Sequence, residues 1–225
     1  MAENPNIGTA HQLTEHHDGR PERWVEVLEI VEVFLLAIVA VTTAWSGYQA
    51  AKWEGHQAFE YGEASRLHVQ ADSAGTLGGQ QKLLDVSTFN TWIQAEQSGD
   101  EKLAALYIRR FSPEYHVAFE AWLKTDPFHD PKAPPGPSYM PEYHNSKTEE
   151  AARVSAEAEH VFADGTKARG TADRYVRQTV LLATVLFLIA VAQRFRVRGV
   201  RIAADTVAVV LMTYAIGGVL VLPRI

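Results

Sequence analysis

The chain has 225 residues, and its 27 acidic and 21 basic side chains give a formal net charge of -6. That balance excludes a general nucleic-acid binder, which needs a basic face. The absence of cysteine excludes disulfides and thiolate metal sites. A hydrophobic fraction of 47% and a mean hydropathy of -0.13 resemble a soluble protein, but the average conceals a segregation. Apolar residues gather near 25–49, 175–193 and 202–222, and the centre is polar and helix-forming.

Residues 1–23 are polar and read as a disordered cytoplasmic tail, in which His11, His16 and His17 offer only a weak chelating cluster. The first apolar segment, 24–49, starts too far into the chain and runs too long for a signal h-region. TAWSGYQAA is also interrupted by aromatics, so a retained anchor is expected. Trp24 and Trp45 are 21 positions apart, which is about 30 Å of helix and matches the hydrocarbon thickness of a bilayer. Trp45, Tyr48 and Trp53 at one end and Trp24 at the other resemble the aromatic belts of the two interfaces.

A stripe of small residues runs through and beyond this segment: Ala37, Ala40, Ala44, Gly47, Ala51, Gly55, Ala58 and Gly62. Spacings of three and four share one helix face, and small side chains let helix backbones approach closely in lipid. The stripe therefore predicts one helix leaving a membrane unbroken, with a packing face along it.

Residues 50–174 read as a helical domain. Gly75, Gly78 and Gly79 suggest a bend or a close contact. After them, Leu83, Leu84, Val86, Phe89, Trp92 and Ile93 resume an apolar pattern. Asp100 is a candidate cap, and Ser112 before Pro113 is a favoured helix start for a helix carrying Tyr115, Val117, Phe119 and Trp122. Six of the ten prolines then fall within 126–143. That loop is incompatible with α-helix or central strand and suggests PPII-like extension. It is either a strap for a ligand or partner, using Phe128, Tyr139, Met140 and Tyr143, or a belt anchored on the bundle by the same side chains. Ser146 and Glu149 form a capping-box pattern opening a last long helix with small residues at Ala151, Ser155, Ala158, Gly165, Ala168 and Ala172. Packing the two long helices on each other is the simplest use of both small-residue faces; contacts between subunits are the alternative.

Segments 175–193 and 202–222 are long enough to cross a bilayer. The link 194–201, RFRVRGVR, holds Arg194, Arg196, Arg198 and Arg201 without an acid. Short loops of this kind stay in the cytoplasm. By parity the N-terminus is inside, the 50–174 domain is outside, and residues 223–225 end outside. The fold class is then an all-α integral membrane protein: three transmembrane helices with a helical extracytoplasmic insertion between the first and second.

Ionisable residues in such segments are functional candidates, because an acid there costs about 2.5–3.5 kcal/mol on insertion scales. Glu29 and Glu32 lie about 7 and 12 Å beyond Trp24 along a helix, Glu26 precedes them, and Asp205 is one turn into the third segment. Glu29, Glu32 and Asp205 are candidates for a proton or cation path. The competing reading is structural: Arg194, Arg196, Arg198 and Arg201 lie at the same end and can pair with these acids to fix helix packing. His129, Asp130 and His144 share the proline-rich loop, but their spacing matches no known ligand set. His56, His68, His116 and His160 are scattered over helices. No HExxH, Walker loop, GxSxG or dinucleotide fingerprint is present.

The strings AWSGYQAAKWEGHQA and DPFHDPKAPPGPSYMPEY resemble those of a bacterial family of uncharacterised three-helix inner-membrane proteins, over Val25 to Gln193. The resemblance implies the same topology and an inner-membrane address. It implies no activity and no catalytic or binding residue. The expected function is therefore non-enzymatic, with no cofactor. The outer domain serves assembly or partner sensing, and the partners are the lipid bilayer, further copies of the chain, or an unidentified protein. The alternative is an oligomeric channel or proton-coupled transporter using the intramembrane carboxylates. A hydrolase built on the proline-rich loop lacks any nucleophile–base signature.

Overall fold

The computed structural model describes residues 23–195 and 197–225, with the backbone alone at 23–26, 28 and 198. The expected tail, including His11, His16 and His17, thus lies outside the described residues, as do Arg196 and the side chains of Trp24, Glu26 and Arg198. Among the described residues the chain is all-α. It consists of α1 (Arg23–Gln97), α2 (Glu101–Ile108), α3 (Pro113–Leu123), α4 (Ser146–Ala192) and α5 (Arg198–Val221), with a 3-10 turn at Pro137–Tyr139 and no strand. Three helical stretches are long and apolar enough to cross a membrane, within Glu29–Gln97, Ser146–Ala192 and Gly199–Val221. Contacts divide the chain into unit 1, Met1–Trp53 with Thr171–Ile225, and unit 2, Glu54–Gly170.

Unit 1 packs the first part of α1, the last part of α4 and α5. Its core includes Val39, Ala50, Leu182, Val185, Ala208 and Ala215. The buried positions recur every seven residues: Glu32, Val39 and Ser46 on α1, Tyr175, Leu182 and Ile189 on α4, Ala208 and Ala215 on α5. A period of seven is slightly shorter than two turns of a straight helix, so helices that keep it wind round each other with a left-handed supercoil. Gly218 allows α5 to come close to α4, since a Cβ there would lie 2.5 Å from Gln178 Nε2.

In unit 2 the same period continues. Ala64, Ala71, Gly78, Asp85 and Trp92 follow at intervals of seven and all are buried. Leu67 and Ala71 of α1 pack on Val154 and Ala158 of α4. Tyr61 stacks on Phe162 with ring centroids 4.9 Å apart, and a Cβ on Gly165 would sit 2.6 Å from the Tyr61 ring. The far end of α1 joins α2 and α3 in an aromatic core of Phe89, Trp92, Phe111, Tyr115, Phe119 and Trp122. Edge-on pairs dominate it, such as Trp92 with Phe119 at 4.7 Å, the arrangement favoured by the ring quadrupoles.

The caps of α2 and α3 are local. Asp100 Oδ1 accepts from the Leu103 amide at 3.0 Å, and Ser112 Oγ accepts from the Tyr115 amide at 3.2 Å. The start of α4 is not local, and the Ser146–Glu149 box does not form there. Asn145 is the cap: its Oδ1 accepts from the Thr148 amide at 2.9 Å, while its Nδ2 donates to the Gly78 carbonyl at 3.1 Å. The Asn145 amide carries its acceptor and its donor on two separate atoms, so one side chain caps α4 and reaches across to α1 at the same time. Glu149 instead meets His144 Nδ1 at 3.1 Å.

Several expectations for α1 and α3 are corrected. Of the bend or close contact expected at Gly75, Gly78 and Gly79, the bend is absent, since the helix runs through all three, and the close contact is found at Gly78, which admits Asn145 and Thr148. Leu83 and Leu84 are exposed because the seven-residue phase of α1 carries Asp85 into the interior instead, and Val117 on α3 is exposed as well. The proline-rich loop is a chain of turns rather than a PPII strand, held by bonds such as Asp130 N to Asp126 O at 2.8 Å and Met140 N to Pro137 O at 3.0 Å. Trp122 Nε1 donates to the Pro134 carbonyl at 2.7 Å, and Met140 and Tyr143 pack on the aromatic core. Phe128 meets Trp122 edge-on while staying half exposed. Tyr139 anchors nothing: it is 72% exposed.

Two measurements check this packing. A Cβ at Gly78 would fall 2.5 Å from Thr148 Oγ1 and 2.9 Å from the Thr148 amide nitrogen, whereas Gly79 faces open space. Gly78→Ala should lower stability by about 1–3 kcal/mol through overpacking, and Gly79→Ala should be neutral or gain up to about 1 kcal/mol from helix propensity, read by thermal unfolding of the purified protein. The second concerns Asp85, which is buried and accepts from the Tyr143 hydroxyl at 3.5 Å. Burial raises its carboxyl above the usual range. Its contribution is therefore complete below the ordinary carboxylate pKa and fades as pH rises through the raised value. Asp85→Asn should be more stable than the parent at neutral pH, and that advantage should disappear below about pH 4.

Candidate functional site

Among the described residues of unit 1, Glu32 is the charged group furthest from solvent, at 3% exposure. A carboxylate removed from water stays charged only when paired and hydrogen-bonded, and three donors reach this one. Arg201 donates to Oε1 from Nε at 3.0 Å and from Nη2 at 2.6 Å, and Gln193 Nε2 donates to Oε2 at 3.1 Å. One carboxylate thus gathers α1, the turn after α4, and the first turn of α5. The guanidinium keeps contact with solvent, with 21% of the Arg201 side chain exposed.

Asp205 lies one turn along α5 from Arg201. Both of its carboxylate oxygens are buried and have no hydrogen-bond partner among the described residues. With Glu32 it borders a pocket of about 350 Å3 whose other walls, apart from Thr206, are apolar, including Val31, Leu35, Ile189 and Ile202. Among the described residues the cluster sets one guanidinium beside two acids.

Of the sequence candidates, Glu32, Asp205 and Arg201 come together. Glu29 is exposed, and Arg194 is exposed without an ion pair to a described residue. Gln193 was not among the candidates; its signal is an amide closing an apolar run just before the arginines. A second polar cluster, also unanticipated, holds the last residues of the chain. Trp53 Nε1 and the Tyr175 hydroxyl both donate to the Pro223 carbonyl at 3.1 Å. The Gln49 amide donates to the Ile225 carbonyl at 3.2 Å and accepts from the Ile225 amide at 3.3 Å. Ser46 Oγ donates to the Tyr175 carbonyl at 3.0 Å.

The small-residue stripe is not part of the intramolecular packing. Ala37, Ala40, Ala44, Ala51, Gly55, Ala58 and Gly62 are exposed and Gly47 is half-buried. A Cβ on Gly47, Gly55 or Gly62 would meet nothing within 4 Å. The expected face-to-face use of the stripe within one chain is thereby corrected. Ala37, Ala44, Ala51 and Ala58 form a seven-residue series two positions away from Val39 and Ser46, about 200° round the helix. The interior instead takes the face that carries Glu32, Ser46 and Gln49, whose polar atoms find partners there.

Five of the described histidines, His56, His116, His129, His144 and His160, pair locally with acids. His129 Nδ1 lies 2.7 Å from Asp126, and His116 and His160 sit within 3.4 Å of Glu120 and Asp164. No group of three or more metal-capable side chains occurs among the described residues. Comparison of the chain with protein-family models, curated proteins and solved structures finds no match.

Removing one partner of a buried ion pair typically costs about 3–5 kcal/mol, and the partial exposure of Arg201 argues for the lower end. Glu32→Ala should cost about 3 kcal/mol, and Glu32→Met with Arg201→Met together should cost less than Glu32→Ala alone. A double-mutant cycle of unfolding midpoints reads the difference; additive losses would show that the pair does not act as a unit.

Proposed function

We propose that the chain is a non-enzymatic integral membrane protein that crosses the bacterial inner membrane three times and carries unit 2 outside the cytoplasm for assembly or partner sensing. The observation that carries the membrane reading is the inverted polarity of unit 1. Glu32, Ser46, Gln49 and Gln178 are buried while Phe34, Val41, Phe187 and Val210 are at least 63% exposed. An aqueous protein does the reverse, and in lipid such a surface needs no further cover. The arginine-rich link 194–201 supports a cytoplasmic hairpin, and the sequence resemblance supports the inner-membrane address.

The exposed stripe on α1 supports assembly through further copies of the chain, since small residues on a lipid-facing helix permit close backbone approach. The chain has no cysteine of its own, so single cysteines report cleanly. Cysteine at Ala40, Ala44 or Ala51 should cross-link between copies in native membranes, and cysteine at Val39 or Ser46 should not. No cross-link from the stripe, or equal yields from both faces, would remove the homo-oligomer. A reporter fused after Ile225 should be active only outside the cytoplasm; activity in the cytosol would overturn the orientation.

The second reading is a channel or proton-coupled carrier, favoured by the unpartnered Asp205 oxygens beside the Glu32–Arg201 pair. Liposome flux distinguishes it. Proton or cation flux that falls at least tenfold in Asp205→Asn and is unchanged in Glu29→Gln would favour conduction. The absence of flux in the parent protein would dismiss it.

A further inference from the structure

We propose that in unit 2 the outward face of α1 pairs with the same face of a second copy of the chain, as a parallel two-stranded coiled coil. Inward the helix turns the buried series Ala64, Ala71, Gly78 and Asp85. A second seven-residue series, Gly55, Gly62, Val69, Thr76 and Leu83, lies about 140° round the helix from it, and every member is exposed. Three residues after the first four of these come Ala58, Ser65, Asp72 and Gly79, exposed as well. Steps of three and four in alternation are the pattern of a coiled-coil seam. Val69 and Leu83 are its bulky members, at 67% and 73% exposure. The small ones admit a close neighbour: a Cβ on Gly55, Gly62 or Gly79 would meet nothing within 4 Å.

The period identifies the kind of occupant. A straight helix has 3.6 residues per turn, so a face that repeats every seven drifts slowly round it. Another helix wound about α1 stays on such a face from Gly55 to Leu83, a length of about 42 Å. Charge identifies which helix. Of the nine seam positions Asp72 alone is charged, and Glu54, Glu60, Glu63, Arg66 and Lys82 all lie off the seam. A partner selected by charge has almost nothing to read there, whereas two identical faces meet without repulsion except at Asp72. Copies inserted in one membrane run α1 in the same direction, which makes the pairing parallel. In that register each flanking residue faces one five positions on in the other copy. Tyr61 then meets Arg66, His68 meets Ser73 and Gly75 meets Gln80, with no like charges opposed. The seam also continues, at the same interval, the exposed Ala37, Ala44 and Ala51.

The inference rests on the assembly half of the function proposed above, and names the surface that unit 2 brings to it. Single cysteines at Ser65, Val69 and Leu83 of the full-length protein should form disulfides between copies in native membranes under mild oxidation. A cysteine at Glu159, exposed on α4, should give a yield at least tenfold lower. Val69→Lys with Leu83→Lys should weaken the dimer at least tenfold, read by sedimentation in detergent, with unchanged helix content because both side chains are exposed in the single chain. Asp72→Leu acts in the opposite direction: removing two facing carboxylates should tighten the dimer at least fivefold. No cross-link along the seam, an equal yield at Glu159, or a dimer no tighter in Asp72→Leu would each overturn the pairing. Cross-links at Ala40, Ala44 and Ala51 with none at Val69 and Leu83 would overturn the coil and keep assembly within the membrane. The converse result would keep the coil and remove the membrane stripe as an interface.

Discussion

The period of seven on α1 and α4 is the constraint from which the rest follows. A helix can present the same face to a neighbour over many turns only if its inward residues return to the same side. At 3.6 residues per turn that requires winding the helices together. On α1 the inward line passes from Glu32 through Val39 and Ser46 in unit 1, and from Ala64 through Ala71, Gly78 and Asp85 to Trp92 in unit 2. The side chains on this line are mostly small. They bury little area each, and what they permit is proximity, as at Gly78 and Gly165, where a methyl group has no room. Stability therefore depends on complementarity of backbone surfaces more than on apolar bulk, except in the aromatic core at the far end of unit 2.

Small residues specify register poorly, because alanine slides on alanine. The polar clusters supply what the packing lacks. Among the described residues Glu32 reaches one arginine and one glutamine, Gln49 bonds both the N–H and the carbonyl of Ile225, and Asn145 bonds one carbonyl of α1. Each would be left with an unsatisfied buried group after a shift of one residue. The energy of any one such bond is modest, and the penalty for misplacing it is larger. Polar groups here act mainly to exclude alternative alignments.

The elements whose signals are local were legible in the sequence. Asp100 and Ser112 with Pro113 announce their helix starts within four residues, and the apolar stretches are visible from composition. Features decided by a neighbouring helix were not. Ser146 and Asn145 are both adequate caps, and the choice falls to Asn145 because only its amide also reaches Gly78. Leu83 and Leu84 look like core by hydrophobicity, but the phase of the helix puts Asp85 inside. Among Glu26, Glu29 and Glu32, the series through Val39 and Ser46 singles out Glu32, whereas the arginine that meets it depends on how α5 is rotated. The stripe illustrates the same limit: two seven-residue series of small residues occupy opposite faces of α1, and composition alone does not say which turns inward.

Helix α5 has strong directional bonds at its two extremities and alanine contacts between them. Arg201 is tied at one end, and at the other the Pro223 carbonyl is held by Trp53 and Tyr175. The helical steps from Arg201 to Val221 correspond to about 30 Å, close to the roughly 30 Å of a hydrocarbon layer. Pinned in this manner, the helix cannot creep lengthwise past its neighbours. Under the membrane reading proposed above, the three-helix group would answer hydrophobic mismatch as one body, by tilting together or by deforming the surrounding lipid.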